Sequence, residues 1–307
     1  MKAITYSTYG GPEVLSLTEV PAPKVGPAEI RIAVHSASVN PVDWKIVAGY
    51  LDSLLEVSFP AIPGWDVSGV VEAVGLDVTE FAVGDEVIAY GRKDWVHGGS
   101  FAEQITVPVR TAAHKPASLG WDEAASLPLA GLSAYQTLKR LGVSRGETVL
   151  VHAAAGGVGA FAVQIAKAWG ARVIGTASPR NHDYLREIGA EPVSYGAGLV
   201  AQVRDLVPDG VDVVVDYVGG AEADTMAVLA PGGRHGSIVD DSVEELGGLY
   251  MWVRPDAADL AALAALAESG EVKVTVSQTF PLDRAADAFR ASMEGHGRGK
   301  IVVRVRD

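Results

Sequence analysis

The segment VLVHAAAGGVGAFAVQIAKAWG, residues 149–170, carries the plainest chemistry in the chain. An apolar run leads into a glycine-rich turn and then into residues with helical apolar spacing. Ala154, Gly156 and Gly159 form the fingerprint of a dinucleotide coenzyme, with alanine in the first glycine place. At Gly156 the missing side chain lets the backbone approach a pyrophosphate, and at Gly159 it lets helix and strand pack closely. Free N–H groups around Ala155, Gly157 and Val158 would meet the phosphates at the helix start. An ordinary glycine-containing β–α turn shares the bare pattern. The strand before, the helix after and the strand beyond favour the coenzyme.

The next strand bears on which coenzyme. An NAD site wants an acidic residue there, about 20 positions on, for the ribose 2′-hydroxyl. Here the strand ends at Ala177 and Ser178, and the first carboxylate is Asp183. Ser178 and Arg180 offer a hydroxyl and a guanidinium, which suit a 2′-phosphate. NADPH (NADP+) is therefore the expected coenzyme, with a merely solvated Arg180 as the alternative. Tyr195 is expected to flank the adenine or its phosphate, and His182 reads as a helix-start residue. Ligands of doubly wound folds lie beyond the carboxyl ends of strands. Tyr217, Val218, Ser237 and Ile238 are thus expected to line the ribose and nicotinamide. Asp216 could equally cap a helix.

The elements that must position these residues follow from periodicity. From residue 147 onward strands and helices alternate: strands at 147–153, 172–176, 192–195, 211–216 and 233–239, helices at 157–169, 182–188, 221–229 and 256–269. That order predicts a parallel, doubly wound sheet. Residues 121–142 have helical spacing, broken or kinked at Pro128. The first third is different. EIRIAVHSASV, VSGVVEAVG and VGDEVIAYG are short strands bounded by turns, predicting a compact, mostly antiparallel β region. The tail reads strand–helix–strand and is expected to return to that region.

Composition narrows the function. At 307 residues with 48% apolar and 21% charged residues, the chain can build two well-buried domains. A net charge of −13 and no Lys/Arg run longer than two disfavour a nucleic-acid partner. No apolar stretch suggests a signal peptide or a membrane span, so the chain reads as a soluble cytoplasmic protein. With no cysteine, disulfides, thiolate metal sites and a Cys nucleophile are impossible. His35, His97, His114, His152, His235 and His296 show no paired ligand spacing.

Taken together, VNPVDWKIVAG, IPGWDVSGVVEAVG, FAVGDEVIAYG, GGSFAEQITV, LPLAGLSAYQTL, AAAGGVG and GRGKIVVRV resemble the medium-chain dehydrogenase/reductase superfamily. Within it they are similar to the zinc-independent, zeta-crystallin-like quinone oxidoreductase branch, across nearly the whole chain. The resemblance implies an α/β fold of two parts. One is a GroES-like β domain, residues 1–121 with a return at 275–307. The other is a Rossmann domain, residues 122–274, with NADPH along the cleft between them and a homodimer as the usual assembly. Zinc-bearing relatives place a Cys where this chain has Asn40 and a His-Glu pair where it has Trp65-Asp66. Neither Asn40 nor Trp65 is a zinc ligand, so no metal is expected.

Without a metal the implied chemistry is hydride delivery to an acceptor that is already electrophilic, a quinone or an α,β-unsaturated carbonyl. The resemblance places Asn40, Pro41, Asp43, Trp44 and Lys45 near the nicotinamide. Asn40 would bond coenzyme or acceptor, Lys45 would be electrophile or proton donor, and Tyr50 would be a second donor. Asp43 would orient Lys45 or hold the loop. Val47 departs from the Arg of many relatives. Trp44 and Trp65 could wall the acceptor pocket or belong to the core, and Tyr250 and Trp252 are expected in that pocket, on a mobile or dimer-facing segment at 240–253. Ser133, Thr137, Arg254, Arg298 and Lys300 are expected coenzyme contacts. Two other functions share the pattern: a tailoring enoyl or ketone reductase of a polyketide-like pathway, and a coenzyme-binding sensor or structural protein without turnover.

Overall fold

The computed structural model describes residues 1–295 and 297–306; His296 lies outside them. Two compact units emerge. The first comprises Met1–Leu129, Pro255–Glu268 and the chain from Val274 onward; the second comprises Ala130–Arg254 and Ser269–Lys273.

The first unit begins with an antiparallel pair, β1 (Lys2–Thr5) and β2 (Ser16–Glu19). There follow β3 (Glu29–Val39), α1 (Pro41–Val47), β4 (Glu56–Val57), β5 (Asp66–Val74), β6 (Glu86–Tyr90), β7 (Trp95–Val96), β8 (Gln104–Pro108), β9 (Ala112–His114) and α2 (Trp121–Ala125). Alternation along β3 turns Ile30, Ile32 and Val34 into one core with Val67, Val71, Val87 and Ile105. Ala37 and Val39, further along, join a second core with Ile4, Tyr6, Val47 and Phe101.

Helix α3 (Pro128–Arg140) starts at the end of the first unit and belongs to the second from Ala130 onward. Pro128 starts this helix, where a missing N–H costs nothing, and so separates it from α2. Then come β10 (Thr148–Val151), α4 (Gly159–Ala168), β11 (Arg172–Thr176), α5 (His182–Ile188), β12 (Glu191–Val193), α6 (Leu199–Leu206), β13 (Val211–Asp216), α7 (Glu222–Val228), β14 (Leu229–Ser237) and β15 (Leu249–Tyr250). The strands are all parallel, in the order β12-β11-β10-β13-β14-β15. Strand order reverses at β10, so a ligand crevice belongs at its carboxyl end. Helix α6 was not expected; only Leu199 and Val203 in it are buried. The segment expected to be mobile contains the short edge strand β15.

The chain closes with α8 (Ala257–Glu268), β16 (Val276–Pro281), α9 (Ala285–Met293) and β17 (Lys300–Arg304). Strand β17 lies antiparallel to β3 and parallel to β16. Phe289 of α9 and Val303 of β17 enter the core of Ile4 and Tyr6. Among the described residues no helix is long and apolar enough to cross a membrane.

Candidate active site

In the second unit, the turn between β10 and α4 is held from its neighbours. The N–H groups of Ala153 and Ala154 donate to Oγ1 and the carbonyl of Thr176, at 3.1 and 3.0 Å, and that of His152 donates to Val215 O at 2.9 Å. The left-handed residue is Ala153, with φ +53°; Ala154 is not, so alanine serves in the first fingerprint place. A Cβ on Gly159 would lie 2.2 Å from Ala153 O and 2.8 Å from Ala154 Cα. Both are backbone atoms, so the turn is built on the absence of that side chain. This cradle fits a pyrophosphate.

Beyond β11, Ser178 precedes a single turn, Pro179–Asn181. Arg180 is exposed and forms no ion pair with any described residue, whereas Asp183 is taken by Arg186 at 2.7 Å. Tyr195 is 65% exposed. The guanidinium is thus available to a phosphate.

Asp216 organises the ends of β13 and β14. Its Oδ1 accepts from the N–H groups of Val218 and Gly219, at 2.9 and 3.1 Å, and its Oδ2 accepts from Ser237 Oγ at 2.9 Å. Ser237 Oγ in turn accepts from the N–H groups of Val239 and Asp240. Asp216 therefore caps its own loop, while the N-cap of α7 is Ala221. The Ser237 hydroxyl, expected on the coenzyme, is used to join the two loops. Thr137 Oγ1 donates back to Ser133 O at 2.6 Å, and both residues are buried. Arg254 is held by its backbone: its N–H donates to Gln136 Oε1 and its carbonyl accepts from Gln136 Nε2. Ile238 N–H donates to Asp216 O, and Tyr217 keeps its hydroxyl buried and protonated, its pKa raised by burial. Tyr250 and Trp252 are half-buried, flanking a buried Met251.

In the first unit, Asn40 stands between β3 and α1, followed by Pro41 at the first helical position. A buried polar cluster surrounds it. Asn40 N–H donates to Asp43 Oδ2 at 2.7 Å, and Asn40 Nδ2 donates to Asp66 Oδ2 at 2.8 Å. Asp66 also accepts from Ser38 Oγ at 2.9 Å and from the Leu129 N–H at 2.8 Å. Lys300 Nζ donates to Asn40 Oδ1 and, at 3.2 Å, to Val39 O. Burial pushes the Asp43 carboxyl from an ordinary 3.8 up to about 8, opposed by the Asn40 N–H. Burial also raises Asp66, opposed first by Lys300, and it lowers Lys300, opposed by Asp66 and Asp43. Burial thus favours a protonated Asp43, while Asp66 accepts from three donors and Lys300 donates to two oxygens on either side of the Asn40 amide.

This arrangement revises several expectations. Lys300 is 5% exposed and bound inside the cluster, so it is not a surface cation offered to a coenzyme; Arg298 is exposed. Asp43 holds the Asn40 backbone and makes no hydrogen bond to Lys45. Asp66, which stands where zinc-bearing relatives have the Glu of a His-Glu pair, is the hub. Trp65 is 4% exposed and meets Tyr90 edge-on at 6.0 Å, which makes it a core residue of this unit. The outer groups of α1 do gather. Lys45 Nζ lies 5.7 Å from the Trp44 ring centroid, and Tyr50, 71% exposed, meets Trp44 edge-on at 6.5 Å. Trp44 is fixed by its Nε1–H to Ser292 Oγ at 3.3 Å. A zinc ion finds no fitting donor set here. Asp66 already takes three donors and faces an ammonium, and Asn40 and Trp65 offer no imidazole or thiolate. Among the described residues no group of three or more His, Cys, Asp or Glu side chains is placed to hold a metal.

The profile described as Alcohol dehydrogenase GroES-like domain matches residues 26–117, and the one described as Zinc-binding dehydrogenase matches residues 188–303. The chain is 33% identical to the chloroplast envelope quinone oxidoreductase homolog of Arabidopsis thaliana, covering 99% of this chain and 98% of that protein. It is 36% identical to the chloroplastic NADPH-dependent alkenal/one oxidoreductase of the same plant, covering 99% of this chain and 79% of that one. The solved quinone oxidoreductase of Coxiella burnetii superposes with a TM-score of 0.87 at 33% identity, over 100% of this chain and 99% of that one.

Proposed function

This chain belongs to the quinone oxidoreductase branch of the medium-chain dehydrogenase/reductase superfamily, and from that premise we propose that it reduces quinones or α,β-unsaturated carbonyls with NADPH and without a metal. The observation that carries the coenzyme is the turn closed to any side chain at Gly159, followed by an unpaired Arg180. Residues 153–159 would hold the pyrophosphate, and Ser178 with Arg180 the 2′-phosphate. When bound, NADPH supplies the hydride.

The chain's own residues then have a limited task. A conjugated acceptor needs no Lewis acid. Its reduced form carries negative charge on oxygen, which needs hydrogen bonds and a proton. Lys45 or Tyr50, held together on Trp44, would supply that proton. The ligand-poor environment of Asn40 and Asp66 supports the metal-free reading.

The test is an acceptor screen that follows NADPH absorbance and identifies products. Quinones or enones should be reduced at the same rate with and without a strong chelator. Tight NADPH binding with no oxidation across the panel would sink the reading, and chelator-sensitive turnover would remove its metal-free part. Arg180→Ala should weaken NADPH binding by about tenfold, the worth of one charge-assisted contact, and leave NADH binding within about twofold. Equal losses for the two coenzymes would reassign the 2′-phosphate contact.

A further inference from the structure

Asn40 is held by groups of fixed hydrogen-bonding sense. A lysine ammonium only donates, and an ionised carboxylate only accepts. Lys300 Nζ lies on Oδ1 of Asn40, and Asp66 Oδ2 lies on its Nδ2. The two ends of the amide are therefore distinguished electrically as well as sterically, and a half-turn would set donor against donor and acceptor against acceptor. One Nδ2 hydrogen is spent on Asp66. The second has no acceptor among the described residues. Asp66 also accepts from Ser38 Oγ and the Leu129 N–H, and its only contact with the amide is the one to the first hydrogen.

We propose that Lys300 is a positioning residue for the reduction, holding the Asn40 amide with its free N–H available to an oxygen of the bound coenzyme or acceptor. The proposal rests on the reductase reading above. Lys300 makes no contact with ligand itself. Its ammonium sets the sense of a neutral amide that does, and Asp66 sets the same sense from the other end. An amide turned the other way would occupy the same volume and present a carbonyl where an N–H belongs, so the effect would fall on chemistry and leave packing nearly untouched.

The experiment uses the whole protein in three forms: wild type, K300R and the double variant K300M/D66N. The double variant buries no lone charge and keeps the shape of both side chains, while removing both constraints on Asn40. It should unfold near the wild-type temperature and bind NADPH within about threefold of wild type. Its kcat should fall roughly tenfold to a hundredfold, the range for a lost hydrogen-bond donor to a developing oxyanion. K300R, which can only donate, should recover most of that loss. A second readout is independent of turnover: the Asn40 side-chain amide should give one pair of NMR signals in wild type and K300R, and shifted or doubled signals in K300M/D66N. Unchanged signals, or unchanged kcat in the folded double variant, would overturn the proposal. If wild type reduces nothing, the reductase reading fails, and the amide signals still decide whether Lys300 and Asp66 fix Asn40. Should the double variant not fold, K300Q, whose amide both donates and accepts, is judged by the same signals and the same kcat.

Discussion

Asp66→Ala is expected to cost the protein about 3–5 kcal/mol of unfolding free energy, since three buried donors each lose an acceptor at about 1–3 kcal/mol. Two losses add here. Ser38 Oγ, Asn40 Nδ2 and the Leu129 N–H each lose their acceptor in the interior. Lys300, already pushed toward the neutral amine by burial, loses the carboxylate that most supports its charge. A pocket of that kind collapses poorly, because it lies among β3, β5 and β17, with β3 hydrogen-bonded to both of the others. Urea unfolding should show a lower midpoint at unchanged slope. Asp66→Asn should lose less, because an amide keeps one acceptor for these donors. A loss below about 1 kcal/mol for Asp66→Ala, the worth of an ordinary exposed pair, would show that water reaches the cluster.

Gly159→Ala should give the second largest effect, and on binding as well as stability. The added methyl would sit 2.2 Å from Ala153 O, far inside contact distance. Ala153 cannot retreat easily, since Thr176 holds its N–H and it already occupies the left-handed region. Relief would have to come from shifting α4 away from β10, at a cost of about 1–3 kcal/mol for an overpacked interior. The shift would also carry the first N–H groups of α4 off the pyrophosphate. NADPH affinity should therefore fall by more than about tenfold, equivalent to some 1.4 kcal/mol, and titration of intrinsic fluorescence would read it. An unchanged affinity would separate this turn from the coenzyme. Arg180→Ala offers the contrast, since it removes only the proposed 2′-phosphate contact from an exposed side chain and should leave stability unaltered.

Much of the second unit was legible because its signals are local. The strands at Arg172–Thr176 and Val211–Asp216 and the helix at His182–Ile188 fall where periodicity predicted them. Apolar runs and glycine turns punctuate each of them. Helix α6 escaped because a short segment with two buried positions, after a glycine-rich start, has too little periodicity to register. The start of β14 was placed late, since a Pro-Gly-Gly sequence reads as a turn, yet Leu229 already pairs with Val211 across an irregular register. The alanine- and leucine-rich run at 256–269 gave α8 but not the core it would join.

The site divides along the same line. The fingerprint turn was readable because glycine's role there depends on atoms a few residues away. Lys300 was misplaced because its environment depends on β17 pairing with β3, which no local pattern reports. Trp65 reads equally as a pocket wall or as core, and its partner Tyr90 comes from the neighbouring strand. The Ser237 hydroxyl looked free for a ligand until the fold brought Asp216 beside it.

The distance between Asn40 and Lys300 also has a meaning in time. They are 260 positions apart in the chain. At about 5–20 residues per second, a ribosome needs roughly 13–50 s to travel between them. The uninterrupted stretch Ala130–Arg254 holds nearly all of the second unit and can close while synthesis continues. Until β17 emerges, the Ser36–Val39 end of β3 lacks a strand partner on one edge, and Asp66 and Asn40 wait without Lys300. The amide that the proposed chemistry relies on is thus set only after a further 260 residues have been made.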